Sequence, residues 1–245
     1  MATSDILSLD GIVLRVTPVK ESDAMVNCVG PNGFFSFYAH GAKKLTSKNA
    51  SSLQVLTKAS FTLRKSSSGS LTLQESSRGR SLQEKEGSLE AMAVGQVLAE
   101  IALKLVQDEE AMDIYPYLDG ALNAIIEDKD PYSSGLIYFA HVLSLIGIGL
   151  DVNECVSCSG KKDIYAMSYE EGGFLCKECA HELGVQATPL QQLKILRYVF
   201  KIGLEDIGKV RLEPALSKAI YHDLATYVEN LTGVSLNSVR FLQQI

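Results

Sequence analysis

Apolar and polar residues alternate with two different periods along the chain, and the period changes near residue 81. Before that point, short runs with strand-like alternation are separated by turn residues such as Gly30-Pro31-Asn32-Gly33. The runs cover residues 11–16, 24–29, 34–40, 53–65 and 71–76. Five short strands in so few residues predict a small barrel, and the OB-fold is the five-stranded barrel best known for binding oligonucleotides.

A helical period follows residue 81. Spacings of three and four residues separate the apolar positions Val94, Val97, Leu98, Ile101, Ala102 and Leu105. Further helices are predicted over residues 113–127, with Pro116 in the first turn, over 131–147, from 190 and over 216–231. Asp130-Pro131 and Thr188-Pro189 mark two helix starts, and Gly233 ends the last long helix. The fold class is therefore α+β: an N-terminal five-stranded OB-fold barrel, residues 1–80, followed by an α-helical domain, residues 81–245.

Charge divides the chain at the same place. Residues 1–80 hold 10 Lys or Arg and 5 Asp or Glu, a net charge of +5. The other 13 basic and 24 acidic residues give the remainder −11, so that the whole chain has −6. This asymmetry predicts a polyanionic partner for the first domain. No segment reads as a signal peptide or membrane span, so we expect a cytoplasmic protein with reduced cysteines and no membrane partner.

Four of the five cysteines form two short pairs. Two residues separate Cys155 from Cys158 and Cys176 from Cys179, and 17 residues separate the pairs. Each tight turn points two thiolates at one ion, and two such turns complete a tetrahedron. The spacing thus predicts one structural Zn²⁺ in a module spanning about residues 151–183. Gly160 lets the amides of the first turn approach the sulfurs, and Cys28 is expected to be a small core residue.

Two alternatives for these cysteines stay open. A redox dithiol needs only one Cys-x-x-Cys pair, and no thioredoxin-like pattern surrounds either pair. His181 could replace one cysteine as a ligand. A catalytic zinc is disfavoured because four thiolates leave no open coordination position. No Gly-x-Ser-x-Gly motif and no paired metal-binding histidines occur, so we predict a protein that is not an enzyme.

Basic residues of the first domain gather near strand ends, as single-strand binders require. Lys43, Lys44 and Lys48 follow the third strand, and Arg64 and Lys65 end the fourth. Additional basic residues are Arg15, Lys20, Arg78 and Arg80. Stacking platforms could come from Phe34, Phe35, Phe37 and Tyr38, although one face of their strand must fill the barrel. The lysines could equally form a solvated loop.

Several segments together resemble the bacterial RecO family of recombination and repair proteins. In the barrel they are residues 11–15, the Glu21-Ser22-Asp23 turn and residues 39–44. In the helical domain they are residues 139–150, running into the two cysteine pairs. The resemblance covers almost the whole chain and implies an OB-fold followed by a helical domain with an inserted zinc module. Because some family members lack the cysteines, it also implies an architectural zinc.

The resemblance further implies a function without a catalytic centre. RecO proteins bind single- and double-stranded DNA, anneal complementary strands, contact RecR and help RecA load onto strands coated by single-strand-binding protein. Carried over by position, the implied DNA contacts are Arg15, Lys43, Lys44, Lys48, Arg64 and Lys65. The acidic tail of single-strand-binding protein is expected to dock in the helical domain, with Lys194, Arg197 and Lys201 as basic partners. The alternative is a zinc-ribbon adaptor that binds protein or RNA and anneals no DNA.

Overall fold

The computed structural model describes residues 5–19, 21–44, 46–85, 88–127 and 129–245. Five strands close into a barrel in the order β1-β2-β3-β5-β4. They are β1 (Asp5–Pro18), β2 (Ala24–Gly30), β3 (Gly33–Ala39), β4 (Thr57–Lys65) and β5 (Leu71–Ser81). All neighbouring strands are antiparallel except β3 and β5, which run parallel and close the barrel. This confirms the predicted α+β class and the OB-like N-terminal barrel.

Side chains fill the barrel as the alternation predicts. Thr57, Ala59, Phe61 and Leu63 of β4 point inward and are buried. However, β4 begins at Thr57 instead of residue 53, because residues 50–53 form a 3-10 turn that buries Leu53. Strands β1 and β5 are longer than predicted, since their extensions at residues 5–10 and 77–81 pair with β4.

Seven helices occur in the described part of the chain. The long ones are α1 (Leu89–Leu105), α2 (Ala111–Ile126), α3 (Pro131–Leu145), α5 (Leu190–Val199) and α6 (Pro214–Thr232); the short ones are α4 (Lys177–Glu182) and α7 (Asn237–Leu242). Asp130 caps α3, and Gly233 ends α6 with φ +73°, both as predicted. Helix α2 starts at Ala111, earlier than predicted, so Pro116 lies inside the helix beyond its first turn. Among the described residues, no helix has both the length and the apolar character needed to cross a bilayer.

One apolar cluster joins the barrel to the helices, and a second cluster fills the barrel itself. Ile12, Leu14, Val29, Leu56 and Leu82 are buried in the same cluster as the inner faces of α1, α2, α3 and α6. Helix α1 approaches closely because it has Gly95 there: a Cβ at that position would overlap Leu82 and Leu56. The barrel is therefore packed onto the helical domain, not merely tethered to it.

A small β-hairpin carries the cysteine pairs beside the helices. Strands β6 (Ile164–Ser168) and β7 (Gly173–Cys176) pair antiparallel, and α4 follows directly. Phe174 points into the main core, with the Arg197 guanidinium 5.2 Å from its ring centroid. Arg197 Nε also donates to the carbonyl of Val152 at 2.9 Å. Thr188, predicted to cap α5, instead accepts a hydrogen bond from the amide of Met167 at 2.9 Å.

Candidate metal centre and nucleic-acid interface

The two cysteine pairs converge on one point. The Sγ atoms of Cys155, Cys158, Cys176 and Cys179 all lie within 4.8 Å of one another. Cys155 and Cys158 belong to a tight turn closed by a hydrogen bond from the Cys155 amide to the Gly160 carbonyl, at 2.8 Å. Cys176 ends β7, and Cys179 lies one turn later in α4. Four thiol donors at this spacing could hold one metal ion.

Backbone amides favour the thiolate form of one of the four cysteines, Cys155. Burial acts to raise the pKa of Cys155, but amides of Cys176, Cys158 and Ser157 donate to its sulfur and lower the pKa to about 6. The Gly160 amide also donates to the Cys158 sulfur and acts to lower its pKa, but the neighbouring Cys155 and Cys176 sulfurs and burial outweigh it, so the pKa of Cys158 is raised. The Ser157 hydroxyl favours the Cys179 thiolate, yet the neighbouring Cys176 sulfur and burial raise the pKa of Cys179 to about 12. Four thiolates therefore coexist only with a cation among them.

The structure bears on the alternatives for this site. His181 lies outside the four-sulfur group; its ring is 5.7 Å from that of Tyr165. The two pairs form one cluster instead of two separate dithiols. Three of the four cysteines are buried with Ala166, Leu175 and Ala180, and Cys158 is exposed at the edge. With four sulfur donors the coordination is closed, which is the arrangement of structural sites.

Most of the predicted basic contacts lie on the barrel surface. Lys43, Lys44 and Lys48 are exposed in the loop after β3, and Arg64 and Lys65 are exposed at the end of β4. Within the described residues none of the five forms a salt bridge. Arg64 donates to Gln74 Oε1 at 2.8 Å. These cations are therefore available to phosphate groups.

Strand register arranges the surface between them. Met25 of β2 is opposite Tyr38, Tyr38 is opposite Thr72, and Thr72 is opposite Arg64. Side chains at paired positions share a face, and neighbouring strands are about 4.8 Å apart. Tyr38 and Arg64 thus lie in one outward row. Arg15 belongs to the adjacent row, opposite Asn27, and also lines a groove of about 330 Å³ against Glu100 of α1.

Only one of the four candidate aromatics remains on this surface. Phe37 is buried, and Phe35 packs beside Phe61 with ring centroids 6.1 Å apart. Phe34 packs toward the helices. Tyr38 stays outside, and its ring lies 4.7 Å from that of His40. No role was predicted for His40. The available signal was its position two residues after Tyr38, which places both rings on the outward side.

Three other basic candidates have different surroundings. Arg80 lies within β5 and pairs with Glu127, directly after α2, at 3.0 Å. Arg78 is also in β5 and is exposed, whereas Lys20 lies outside the described residues. Lys194 of α5 and Lys201, which lies just beyond the end of that helix, are exposed, but Arg197 is occupied by Phe174 and Val152. Sequence alone could not separate these pairing arginines from unpaired ones.

Fold and site together define a class of protein: an OB-type barrel packed on a helical domain that carries a cluster of four cysteines able to hold a metal ion. Comparison with known sequences is more specific. Residues 2–79 match the recombination protein O N-terminal model, and residues 86–240 match the recombination protein O C-terminal model. The chain belongs to the recombination protein O (RecO) family, as its residues suggested.

Individual relatives agree with this assignment. The chain is 30% identical to the DNA repair protein RecO of Bacillus mycoides (strain KBAB4) over 241 residues, 97% of this chain and 96% of the relative. The same figures hold for proteins of that name from Bacillus cereus (strain B4264) and Bacillus anthracis (strain CDC 684 / NRRL 3495). The similarity therefore covers the barrel, the helices and the cysteine hairpin together.

Proposed function

We propose that this protein is a non-enzymatic mediator of recombination in DNA repair. It binds single- and double-stranded DNA, anneals complementary strands and, with RecR, helps RecA load at the nucleoid. The observation that carries the proposal is the surface of the barrel: five cations are exposed there without a salt bridge to any described residue, and one of them, Arg64, shares an outward row with Tyr38. Family membership supports the recombination role.

The DNA contacts are Lys43, Lys44, Lys48, Arg64 and Lys65, with Arg15 at the edge beside α1. Such cations lower the repulsion between two strands, which is the physical requirement of annealing. Residues 1–80 form the DNA-binding domain. Residues 81–245 form the helical domain, whose Lys194 and Lys201 are basic partners for the acidic tail of single-strand-binding protein.

The metal is one structural Zn²⁺ held by Cys155, Cys158, Cys176 and Cys179. Zinc suits four thiolates with tetrahedral geometry and a closed site. It supplies folding free energy to a hairpin with little core and takes no part in a reaction. Replacing zinc with cobalt should give the charge-transfer bands of a four-thiolate site, and their absence would contradict this ligand set.

The test changes Lys43, Lys44 and Lys48 to Glu in the full chain. Fluorescently labelled single-stranded DNA is titrated at two salt concentrations. We expect affinity to fall at least about tenfold at low salt, and the salt dependence to weaken by about two counterions, because three phosphate contacts are lost. A strand-annealing assay on the same proteins separates this function from the adaptor alternative, which predicts no annealing.

A matched control changes three exposed lysines elsewhere, Lys161, Lys162 and Lys209, to Glu. The change in net charge is identical, but these lysines lie outside the barrel. We expect the control to retain most of its affinity. Equal affinity of the two triple variants would show that the loop after β3 does not contact DNA.

A further inference from the structure

One acidic side chain lies within the basic surface and, besides the hydroxyl of its neighbour Ser22, contacts three groups at the end of β3. Asp23 directly precedes β2, and its side chain is only 14% exposed. Its Oδ1 accepts a hydrogen bond from the amide of Gly41 at 2.8 Å, and its Oδ2 accepts one from the hydroxyl of Tyr38 at 2.8 Å. His40 Nδ1 lies 3.5 Å from the same Oδ2. One carboxylate thereby joins the β1–β2 turn to the end of β3.

These contacts fix the start of the lysine loop. Gly41 has φ +61°, the left-handed conformation that glycine adopts without strain. The chain then turns back, so that the amide of Lys43 donates to the Ser22 carbonyl at 3.0 Å. The side chain of Lys44 lies along Gly41. The directions of Lys43 and Lys44 thus depend on where Asp23 holds Gly41.

The same carboxylate holds two rings. The Tyr38 and His40 rings meet edge to face with centroids 4.7 Å apart, and the His40 side chain is 68% exposed. Exposed aromatic faces beside a basic loop are what unpaired bases stack on. A double helix keeps its bases stacked inside, so this ring pair is suited to single strands.

We propose that Asp23 is the positioning residue of the DNA surface, holding the Tyr38–His40 ring pair and the Lys43–Lys44 loop against one single strand. This inference rests on the proposed function of the barrel. Asp23 acts through its neighbours and does not itself touch the phosphates, which it repels.

Asp23 keeps its charge under the conditions of DNA binding. The Gly41 amide and the Tyr38 hydroxyl, in that order, lower the pKa of Asp23 to about 2. A negative charge on a polyanion-binding surface weakens binding if charge is all that matters. The charge of Asp23 should therefore weaken DNA binding, whereas its positioning of the rings and the loop should strengthen it. Because the two effects have opposite signs, a substitution can distinguish them.

The experiment compares Asp23→Ala with Glu75→Ala in the full chain. Both variants remove one acidic group from the same barrel, and Glu75 is exposed on β5. From charge alone, both should bind single-stranded DNA slightly more tightly. We expect Glu75→Ala to do so, but Asp23→Ala to bind about tenfold more weakly, the size of one lost base-stacking contact. Asp23→Ala binding as tightly as the wild type, or more tightly, would overturn the proposal.

Two further variants make the test specific to the hydrogen bonds. Asp23→Asn keeps an acceptor for Gly41 and should restore most of the affinity; an Asn variant as weak as the Ala variant would contradict the inference. Amide hydrogen exchange at Gly41 and Lys43 should accelerate in Asp23→Ala and not in Glu75→Ala. If Asp23→Ala does not fold, Tyr38→Phe tests the proposal instead. This variant removes the hydrogen bond from the Tyr38 hydroxyl to Asp23 and keeps the ring. It should weaken binding about two- to threefold, and unchanged binding would refute the positioning role.

The two proposals fail in different ways. If wild-type protein and the Lys43, Lys44 and Lys48 variant bind DNA alike, the DNA-binding function of this surface fails. If the lysine variant is weak while Asp23→Ala is not, the surface stands and only the positioning role of Asp23 is lost.

Discussion

The barrel and the cysteine hairpin are both small β-structures, yet they are stabilised in different ways. The interior of the barrel is filled by large apolar side chains such as Phe37 and Phe61. Other barrel residues, among them Leu56 and Leu82, pack into a separate cluster with the helices. The hairpin's own cluster contains, besides three cysteines, only Ala166, Leu175 and Ala180 as fully buried members. Burial of apolar area can stabilise the barrel. The hairpin's own cluster has much less of it, so we expect its fold to depend on a bound ion.

Cysteine behaves differently in the two regions. Cys28 is 1% exposed inside the barrel, where burial raises its pKa. Cys155 is equally buried, but three backbone amides reach its sulfur and lower its pKa to about 6. Backbone amides near the sulfur therefore distinguish Cys155 from the core residue Cys28.

The largest expected effect is the loss of one metal ligand. Cys176→Ser leaves three thiols and should reduce bound zinc from one per chain to near zero. Structural zinc contributes about 10 kcal/mol or more in small domains, far above what the hairpin core supplies. We expect limited proteolysis to cut rapidly within residues 151–185 while the barrel stays protected.

The control for that experiment is Cys28→Ser, which should keep its zinc and its protected hairpin. The whole chain must be used, because barrel residues share an apolar cluster with the helices. If Cys176→Ser resists proteolysis without zinc, the hairpin is stabilised by packing after all, and the contrast between the two regions disappears.

A smaller effect is expected at the junction between barrel and helices. Leu56 is fully buried with φ +58°, and its side chain packs at Gly95 of α1. Leu56→Ala should cost about 2–5 kcal/mol through lost burial and a cavity. Because Leu56 lies in the cluster shared by barrel and helices, urea denaturation followed by circular dichroism should shift the barrel and helices together.

Leu190→Ala is the matched substitution, since Leu190 is 65% exposed at the start of α5. It should change the free energy of unfolding by less than about 0.5 kcal/mol. Two separate transitions in Leu56→Ala, with only one of them shifted, would mean that the barrel and helices fold independently.

Sequence predicted the parts of the fold that local pattern determines. Burial along β4 follows the alternation of apolar and polar residues. Asp130 caps the start of α3, and Gly233 ends α6, as their chemistry favours. The first residues of β1 escaped prediction because their three apolar side chains are not buried, Ile6 being 68% exposed, and the strand forms there by backbone pairing with β4. Leu56 also gave no local signal, since its left-handed backbone is fixed by hydrogen bonds to Val13 and Leu82.

The sites divide in the same way. The metal cluster could be predicted because its geometry is encoded in two short spacings. The organisation of the basic surface could not, because Asp23 and Gly41 meet only through the fold. Likewise, the sequence grouped Arg80 with the other basic residues of the first domain, but Arg80 pairs with Glu127, directly after α2. Contacts between residues that are distant in the sequence rule out some candidate DNA-binding residues that composition suggests, and they identify others.

The smallest expected effect concerns the ion pair between the two folded parts. Lys58 of β4 lies 2.8 Å from Asp119 of α2, with the side chains 36% and 21% exposed. Burial acts to lower the pKa of Lys58, but Asp119 outweighs it and raises the pKa above 10.5. A cation whose folded-state pKa is raised adds stability below the unfolded value and loses it as pH rises through the folded value.

A double-mutant cycle with Lys58→Met and Asp119→Asn should therefore give a coupling free energy of about 0.5–1 kcal/mol at pH 7, the range for partly exposed pairs. The coupling should remain constant up to about pH 10 and decrease above it, and salt should reduce it. Urea denaturation of the four proteins measures it. A coupling of several kcal/mol would contradict the view that apolar packing holds the barrel on the helices, since the ion pair would then contribute most of that attachment.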